Sequence, residues 1–254
     1  MVDRISSPVE FSSGFSLCSA EQLDKLRAVS WQQVSKNNDV VLAMGSPEPA
    51  VILLTEGVLS VWNMGKEADK VVTDFLSAPQ PFLAGLLSLD SSPYEVRSNG
   101  VSRSVRIPLL AFRTAMKECP SFSLWVVRCL IRAQAQARFY RARLSSLALE
   151  ARIAFFYWSL SLPWSDADNS PDQNPWSEQG RVVRTKVSQH ILCSYFGVAR
   201  EEISRKSQLL ERAGYLLKRG PLILLSPDLP FLFSLQAPSP YEDPWAQDIA
   251  EFDF

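Results

Sequence analysis

The sequence of 254 residues predicts an α+β chain, with strands in the first half and helices in the second. Three observations support this fold class. Short apolar runs separated by Gly, Pro and Asn fill residues 40–107, which is typical of an antiparallel sheet. An apolar heptad repeat covers 121–147 and predicts one long helix. Two amphipathic helical patterns and two short apolar runs follow within 188–225.

The strand region predicts an N-terminal antiparallel β-roll of the double-stranded jelly-roll type. Its candidate strands are 40–44, 51–62, 70–76, 93–96 and 101–107. Gly57 is expected in a turn between two strands. A short helix is expected before the roll at 19–29, where Ser19 and Gln22 have capping-box spacing. A second helix over 108–119 would lead from the roll into the long helix.

The long helix carries an apolar stripe whose members are alternately four and three residues apart. The stripe consists of Val126, Leu130, Ala133, Ala137, Tyr140 and Leu144, and Leu147 continues it. A helix over 121–147 would be roughly 40 Å long, so its stripe needs a partner. Packing inside one subunit is one interpretation. The small Ala133 and Ala137 and the flanking arginines favour the other, which is dimerisation with a second copy.

The segment 188–214 predicts two helices joined by a tight turn at Gly197. Ser188 stands where its hydroxyl can cap the first helix. One face of the second helix carries Arg200, Glu201, Ser204 and Arg205, opposite the apolar Ile203 and Leu210. Arg can bind guanine, Glu can accept from cytosine N4, and Ser fits beside a thymine methyl group. The face is therefore predicted to contact DNA bases; a solvent-exposed charged face is the alternative.

A β-hairpin is predicted after these helices, because apolar residues 214–217 and 222–225 flank the basic turn 218–221. Residues 181–219 contain nine Lys or Arg and three acids, a net charge of +6, although the whole chain carries −1. This positive charge favours contacts with phosphate groups. The candidates are Ser188, Gln189, Lys206, Lys218 and Arg219. Helices and hairpin together predict a winged helix–turn–helix that binds double-stranded DNA.

This segment resembles the winged helix–turn–helix of the Crp/Fnr family of bacterial transcription regulators. The matching residues are Gly197, Val198, Arg200, Glu201, Ile203 and Arg205, whereas Ala199 replaces the usual Ser. The resemblance implies a cyclic-nucleotide-binding-like β-roll sensor domain over 1–120, a dimerisation helix over 121–147 and a DNA-binding domain over 148–227. It further implies a homodimer that reads an inverted repeat with TGA-containing half-sites. RNA polymerase or another regulatory protein is a further partner to expect.

The roll departs from the pattern of the nucleotide-binding members of that family. Those members carry Gly-Glu followed by an Arg-Ser/Thr-Ala stretch, whereas Leu86 follows Gly85 here, and Arg97 and Arg103 have the wrong spacing. A buried phosphate without a cation is costly, so cAMP dependence is not expected. The roll is expected to hold an unidentified small effector, to bind a protein partner, or to be filled by its own side chains. No cofactor is predicted.

The chain has four scattered cysteines, Cys18, Cys119, Cys129 and Cys193, and one histidine, His190. Each cysteine is expected to be structural, and no metal site is predicted. The lone histidine lies outside the strand region, so a cupin-like β-barrel enzyme with an attached DNA-binding domain is only a remote alternative. No apolar run approaches membrane-spanning length and the N-terminus lacks a signal pattern, so we expect a cytoplasmic chain without membrane contact.

Residues 228–254 form an acidic aromatic tail with six acids and neither Lys nor Arg. One interpretation is a disordered tail. The other is a segment that docks on a partner or on the +6 DNA-binding surface.

Overall fold

The computed structural model describes residues 3–4, 17–46, 50–65, 69–78, 80–82, 91–163, 180–185, 187–220 and 222–233. The chain divides into two compact units. The first unit is Met1–Ala142 with Val187–Val198, and the second unit is Arg143–Lys186 with Ala199–Phe254. The domain boundaries expected after residues 120, 147 and 227 stay predictions.

The first unit contains an antiparallel sheet of seven strands. They are β1 (Asp3–Arg4), β2 (Trp31–Ser35), β3 (Val40–Leu42), β4 (Ala50–Met64), β5 (Lys70–Ser77), β6 (Gln80–Phe82) and β7 (Glu95–Pro108). The order is β1-β2-β7-β4-β5, with β3 paired to β7 and β6 paired to β4. The predicted strands 93–96 and 101–107 are therefore one strand, bent at Gly100, whose φ is +88°.

The predicted turn at Gly57 is wrong, since this glycine lies inside the 15-residue strand β4. Its φ is +92°, and a Cβ atom there would lie 2.6 Å from the carbonyl oxygen of Val101. The register of β4 against β7 shifts between Leu54 and Glu56 and again between Glu56 and Val58, the interval that contains Gly57. Glycine is thus needed for a bulge and a close approach of two backbones, and not for a chain reversal.

Among the described residues, α1 (Ala20–Val29), α2 (Leu109–Glu118) and most of α3 (Pro120–Ser146) cover one face of the strands in the first unit, which also contains α5 (Gln189–Phe196). The predicted capping box of α1 is present, because Ser19 and Gln22 exchange both hydrogen bonds. The helices share a core with alternate residues of β4 and β7, including Val51 and Ile107. Phe112 and Phe122, both completely buried, meet edge to face at 5.2 Å between ring centroids.

One member of the predicted stripe on α3 belongs to the core of its own unit. Val126 is 0% exposed, and Leu130 packs against the same core. The exposed face of α3 instead carries Leu124, Val127 and Ile131, with Ile131 61% exposed. The side chains of Ala133, Ala137, Tyr140 and Leu144 lie outside the described part of the structure.

The second unit contains α4 (Leu149–Leu160), α6 (Arg200–Arg212) and a small antiparallel sheet. Its strands are β8 (Leu162–Pro163), β9 (Arg181–Val183), β10 (Leu216–Arg219) and β11 (Leu222–Leu225), in the order β10-β11-β9-β8. Sequence reasoning predicted the β10–β11 hairpin and missed β8 and β9. A 3₁₀ turn, Leu229–Leu232, follows the sheet. The ring of Phe233 meets that of Phe155 at 5.2 Å, so the start of the predicted tail is packed.

Residues 234–254, the rest of the tail, lie outside the described residues. None of the described helices combines the length and the apolar character that crossing a membrane requires.

Candidate nucleic-acid interface

The helix that precedes the candidate recognition helix is α5 (Gln189–Phe196) in the first unit. As predicted, Ser188 caps it by accepting a hydrogen bond from the Ile191 amide at 3.4 Å. Gly197 ends it in the left-handed region at φ +66°, which glycine adopts at little cost. In the same unit, Ser194 Oγ accepts a hydrogen bond from the Val72 amide of β5 at 2.9 Å. The structure therefore fixes both ends and one side of α5.

The candidate recognition helix α6 begins at Arg200, three residues after Gly197. Ala199, at its N-cap, makes no side-chain capping bond, as its replacement of Ser implies. Ile203 and Leu210 are buried, together with the small Ser207. Arg200, Glu201 and Arg205 are exposed, and Ser204 is half-buried. The structure has the buried face and the exposed face of α6 that the helical period predicts. What the exposed face binds stays a prediction.

The exposed face of α6 is longer than the sequence interpretation assumed. Gln208 and Arg212 are also exposed. At 100° per residue they fall, with the four predicted residues, within an arc of about 140°. The sequence contains this signal, because Gln208 lies four residues after Ser204 and Arg212 lies seven residues after Arg205.

Lys206 is held against α4 by an ion pair in the second unit. Its Nζ lies 2.8 Å from Glu150 Oε2, and each side chain is about three-quarters buried. The hydrogen bond from Lys206, followed by a backbone hydrogen bond, lowers the pKa of Glu150 against the opposing effect of burial. The nearby charge of Arg205 lowers the pKa of this carboxyl further. The predicted phosphate contact of Lys206 thus competes with an existing partner.

The hairpin β10–β11 places two of the predicted cations near its tip. Lys218 forms a short ion pair with Glu211 on α6, whereas Arg219 is exposed beside the turn residue Gly220. Leu216 and Leu225 face each other at the base of the hairpin and are both buried. The buried base fixes the hairpin and leaves the guanidinium of Arg219 at its outer end.

Arg181 contributes to the +6 charge of the sequence segment but serves the core of the second unit. Its Nε and Nη2 donate to Ser161 Oγ and Ser161 O at 2.7 and 2.8 Å. Its guanidinium also lies 4.7 Å from the ring centroid of Trp158. A cation with these contacts stabilises the link between α4 and β9 and is not available to a phosphate.

In the roll, both arginines that were considered for an effector phosphate have carboxylate partners. Arg97 Nε lies 2.5 Å from Glu95 Oε1, and Arg103 Nε lies 2.7 Å from Glu56 Oε2. Burial alone would raise the pKa of Glu95, but hydrogen bonds from Lys70 and Arg97 outweigh it and lower that pKa. Residues 83–90, which include Gly85, lie outside the described residues. Within the described residues, no three His, Cys, Asp or Glu side chains cluster closely enough to hold a metal ion.

Solved structures of transcription regulators share this architecture. FixK2 from Bradyrhizobium japonicum is similar over 82% of this chain and 100% of its own, with a TM-score of 0.65 and 15% identity. The regulator TTHB099 of the CRP family from Thermus thermophilus is similar over 79% and 94%, with a TM-score of 0.59 and 18% identity. The chain has the Crp/Fnr fold.

A third structure with the Crp/Fnr fold is the c-di-GMP-responsive global regulator CLP from Xanthomonas campestris. It is 17% identical, covers 82% of this chain and 99% of its own, and has a TM-score of 0.56. No protein-family model matches the sequence, and no curated protein is significantly similar to it. The Crp/Fnr fold is therefore recognised here through three-dimensional similarity at low sequence identity.

Proposed function

We propose that this chain is a sequence-specific DNA-binding transcription regulator that acts as a homodimer. Each subunit inserts α6 into a major groove, and the dimer reads an inverted repeat whose TGA-containing half-sites are about one helical turn apart. Arg200 and Arg205 bind guanine, Glu201 accepts from cytosine, and Ser204 lies beside a thymine methyl group.

The observation that carries this proposal is the composition of the exposed face of α6. The buried side holds Ile203 and Leu210, so the helix has one orientation in its unit. The opposite side presents Arg200, Glu201 and Arg205 to solvent. Arg and Glu provide the donors and acceptors that distinguish base pairs in the major groove. The Crp/Fnr fold of the chain supports the same function.

We assign the phosphate contacts according to the exposure of each predicted side chain and whether it already has an ion-pair partner. Arg219 is exposed at the hairpin, and Ser188 and Gln189 stand at the start of α5. Lys206 and Lys218 already pair with Glu150 and Glu211, which neutralise part of their charge. We therefore assign Arg219 a larger share of the phosphate contacts than either lysine.

Dimerisation is proposed through the exposed apolar face of α3. Leu124, Val127 and Ile131 are exposed, and with Gln134 they follow the 3-4-3 spacing of a coiled-coil seam. This seam replaces the one predicted from Val126 and Leu130, since those side chains serve the core of their own subunit. A second copy presenting the same seam would cover these apolar side chains around a two-fold axis.

We propose that the chain does not depend on cAMP, because the two arginines nearest the expected phosphate position already have carboxylate partners. Arg97 and Arg103 are paired with Glu95 and Glu56, and the Glu expected after Gly85 is absent from the sequence. A cyclic phosphate would have to displace one of these carboxylates, and the loss of the existing ion pair would offset what the new arginine–phosphate pair gains.

The test is DNA binding by the purified full chain, measured by fluorescence anisotropy over a range of salt concentrations. The probes are a duplex with inverted TGA half-sites and a scrambled duplex, each with and without cAMP. Arg205→Ala is expected to weaken binding to the inverted site by ~1–3 kcal/mol and to change binding to the scrambled duplex little. Arg219→Ala should weaken both and lower the salt slope by about one.

Arg113→Ala is the matched control, because Arg113 is an exposed arginine on α2 and its loss changes the net charge equally. It should leave binding to both duplexes unchanged. Equal losses on the two duplexes for Arg205→Ala would contradict base reading by α6. A response to cAMP would contradict the proposed independence and leave the DNA-binding assignment intact.

A further inference from the structure

Two cysteines that are far apart in the sequence meet in the first unit. Cys18 lies just before α1, and Cys119 is the residue between α2 and α3. They are 7% and 8% exposed and belong to the same apolar core. Both are free thiols. The core therefore contains a pair of nucleophilic groups that the proposed DNA-binding function does not use.

The two thiols are close enough to interact directly. Both side chains belong to one buried cluster, and Cys119 is near enough to Cys18 to shift the pKa of its thiol. Cys119 Sγ also lies 3.2 Å from the carbonyl oxygen of Leu17, to which its S–H donates. The Cys119 amide donates to Ala115 O at 2.9 Å, and Ser19 caps α1 immediately after Cys18. Each cysteine is thus held beside a helix end, and the sulfur atom of Cys119 contacts the residue that precedes Cys18.

The environment of Cys18 keeps its thiol protonated near neutral pH. Burial, followed by the charge of Cys119 and its hydrogen bond, raises the pKa of Cys18 to about 11. Because the thiolate is the reacting form, attack on an oxidant is slow near neutral pH and speeds up about tenfold per pH unit below the pKa. Cys18 is therefore slow to react near neutral pH, and Cys119 is nearby to form a disulfide once the first sulfur has reacted.

We propose that Cys18 and Cys119 are a redox modification site that forms an intramolecular disulfide with a small-molecule disulfide such as oxidised glutathione. One cysteine thiolate attacks a glutathione sulfur, breaks its S–S bond and releases one glutathione thiolate. The second cysteine then attacks the protein sulfur of the mixed disulfide and releases the second glutathione. Two protein thiols are oxidised, one disulfide is reduced, and the two thiol protons end on glutathione.

The disulfide would tie the segment before α1 to the junction of α2 and α3. It would close a loop of about one hundred residues, which restricts the unfolded chain strongly. The thermal midpoint of the first unit is therefore expected to rise by roughly 5–15 °C on oxidation. The disulfide would form whether or not the chain binds DNA.

The experiment treats the native full-length chain with oxidised glutathione at about pH 7 and about pH 9, blocks the remaining thiols and digests the product. Mass spectrometry should find the peptides of Cys18 and Cys119 joined, two hydrogens lighter than their sum and separable by reductant. The joined species should form faster at the higher pH. The thermal midpoint should rise in parallel and return after reduction.

Variants distinguish this pair from the other two cysteines. Cys18→Ala and Cys119→Ala should each abolish the joined peptide and the thermal shift, whereas Cys129→Ala and Cys193→Ala should keep both. A Cys119–Cys129 link, or glutathione retained on Cys18 as a mixed disulfide, would overturn the proposal. So would reduced Cys18 and Cys119 peptides after long treatment at the higher pH, a result that does not require any variant to fold.

Discussion

At the scale of single residues, Glu150 controls how much positive charge α6 presents outward. It holds Lys206 on the inner side of the helix and lies close enough to Arg205 to interact with its charge. A largely buried pair of this kind is screened less than a surface pair, so its geometry is maintained at ordinary salt. Lys206 then serves as a positioning residue between α4 and α6, and Arg205 remains exposed for the base contact proposed above.

We predict that Glu150→Gln lowers the free energy of unfolding by about 1 kcal/mol at pH 7, since it leaves Lys206 without its charge partner. The folded pKa of Glu150 lies below its ordinary value of 4.5. The stabilisation is therefore complete above that value and is lost as pH falls through the lower folded pKa. Urea unfolding at pH 7 and near pH 3 measures the difference, which should be smaller in acid.

Glu118→Gln is the control for this pH dependence, because Glu118 is exposed at the end of α2. It should change stability little at either pH. A loss from Glu150→Gln that persists unchanged near pH 3 would show that packing, and not charge, is responsible.

At the scale of helices and strands, the sequence predicts well those features that follow from local periodicity. The ends of α1, the left-handed Gly197 and the two faces of α6 depend on neighbours within a few residues. The turn predicted at Gly57 is wrong because a glycine in a turn and a glycine at a bulge against a paired strand have the same local sequence. Only the position of Val101, brought near by pairing of β4 with β7, distinguishes them. β9 was missed because a three-residue strand has no measurable period.

Two glycine substitutions in the first unit separate backbone strain from steric clash. Gly197→Ala should cost about 1–2 kcal/mol, because φ is +66° but no atom lies within 4 Å of the new Cβ. Gly57→Ala should cost more, since its Cβ would meet Val101 O at 2.6 Å and Ser102 Cα at 2.9 Å in addition to the strain. Urea unfolding of both variants tests the order, and equal costs would mean that β7 yields at the bulge.

At the scale of the whole molecule, α3 has to serve two apolar contacts at once. Its inner side completes the core with Phe122 and Val126, and its outer side leaves Leu124, Val127 and Ile131 exposed. A heptad repeat predicts that a stripe exists but does not say which face belongs to the subunit core. That assignment depends on how α1 and α2 pack, which no pattern within α3 contains. The same limit hid the Cys18–Cys119 pair, since a contact across about one hundred residues leaves no local signal.

One charge in the seam should break the dimer proposed through α3. Ile131→Glu places a charge in the apolar seam and should convert the dimer to a monomer at low micromolar concentration, measured by light scattering after gel filtration. Binding to the inverted site should fall by roughly 100-fold or more, because the two half-sites are no longer held together. Leu110→Glu is the matched control, since Leu110 on α2 is 79% exposed and lies outside the seam. If Ile131→Glu stays dimeric while circular dichroism shows an intact fold, the seam is elsewhere; if Leu110→Glu alone yields monomers, α2 forms the interface.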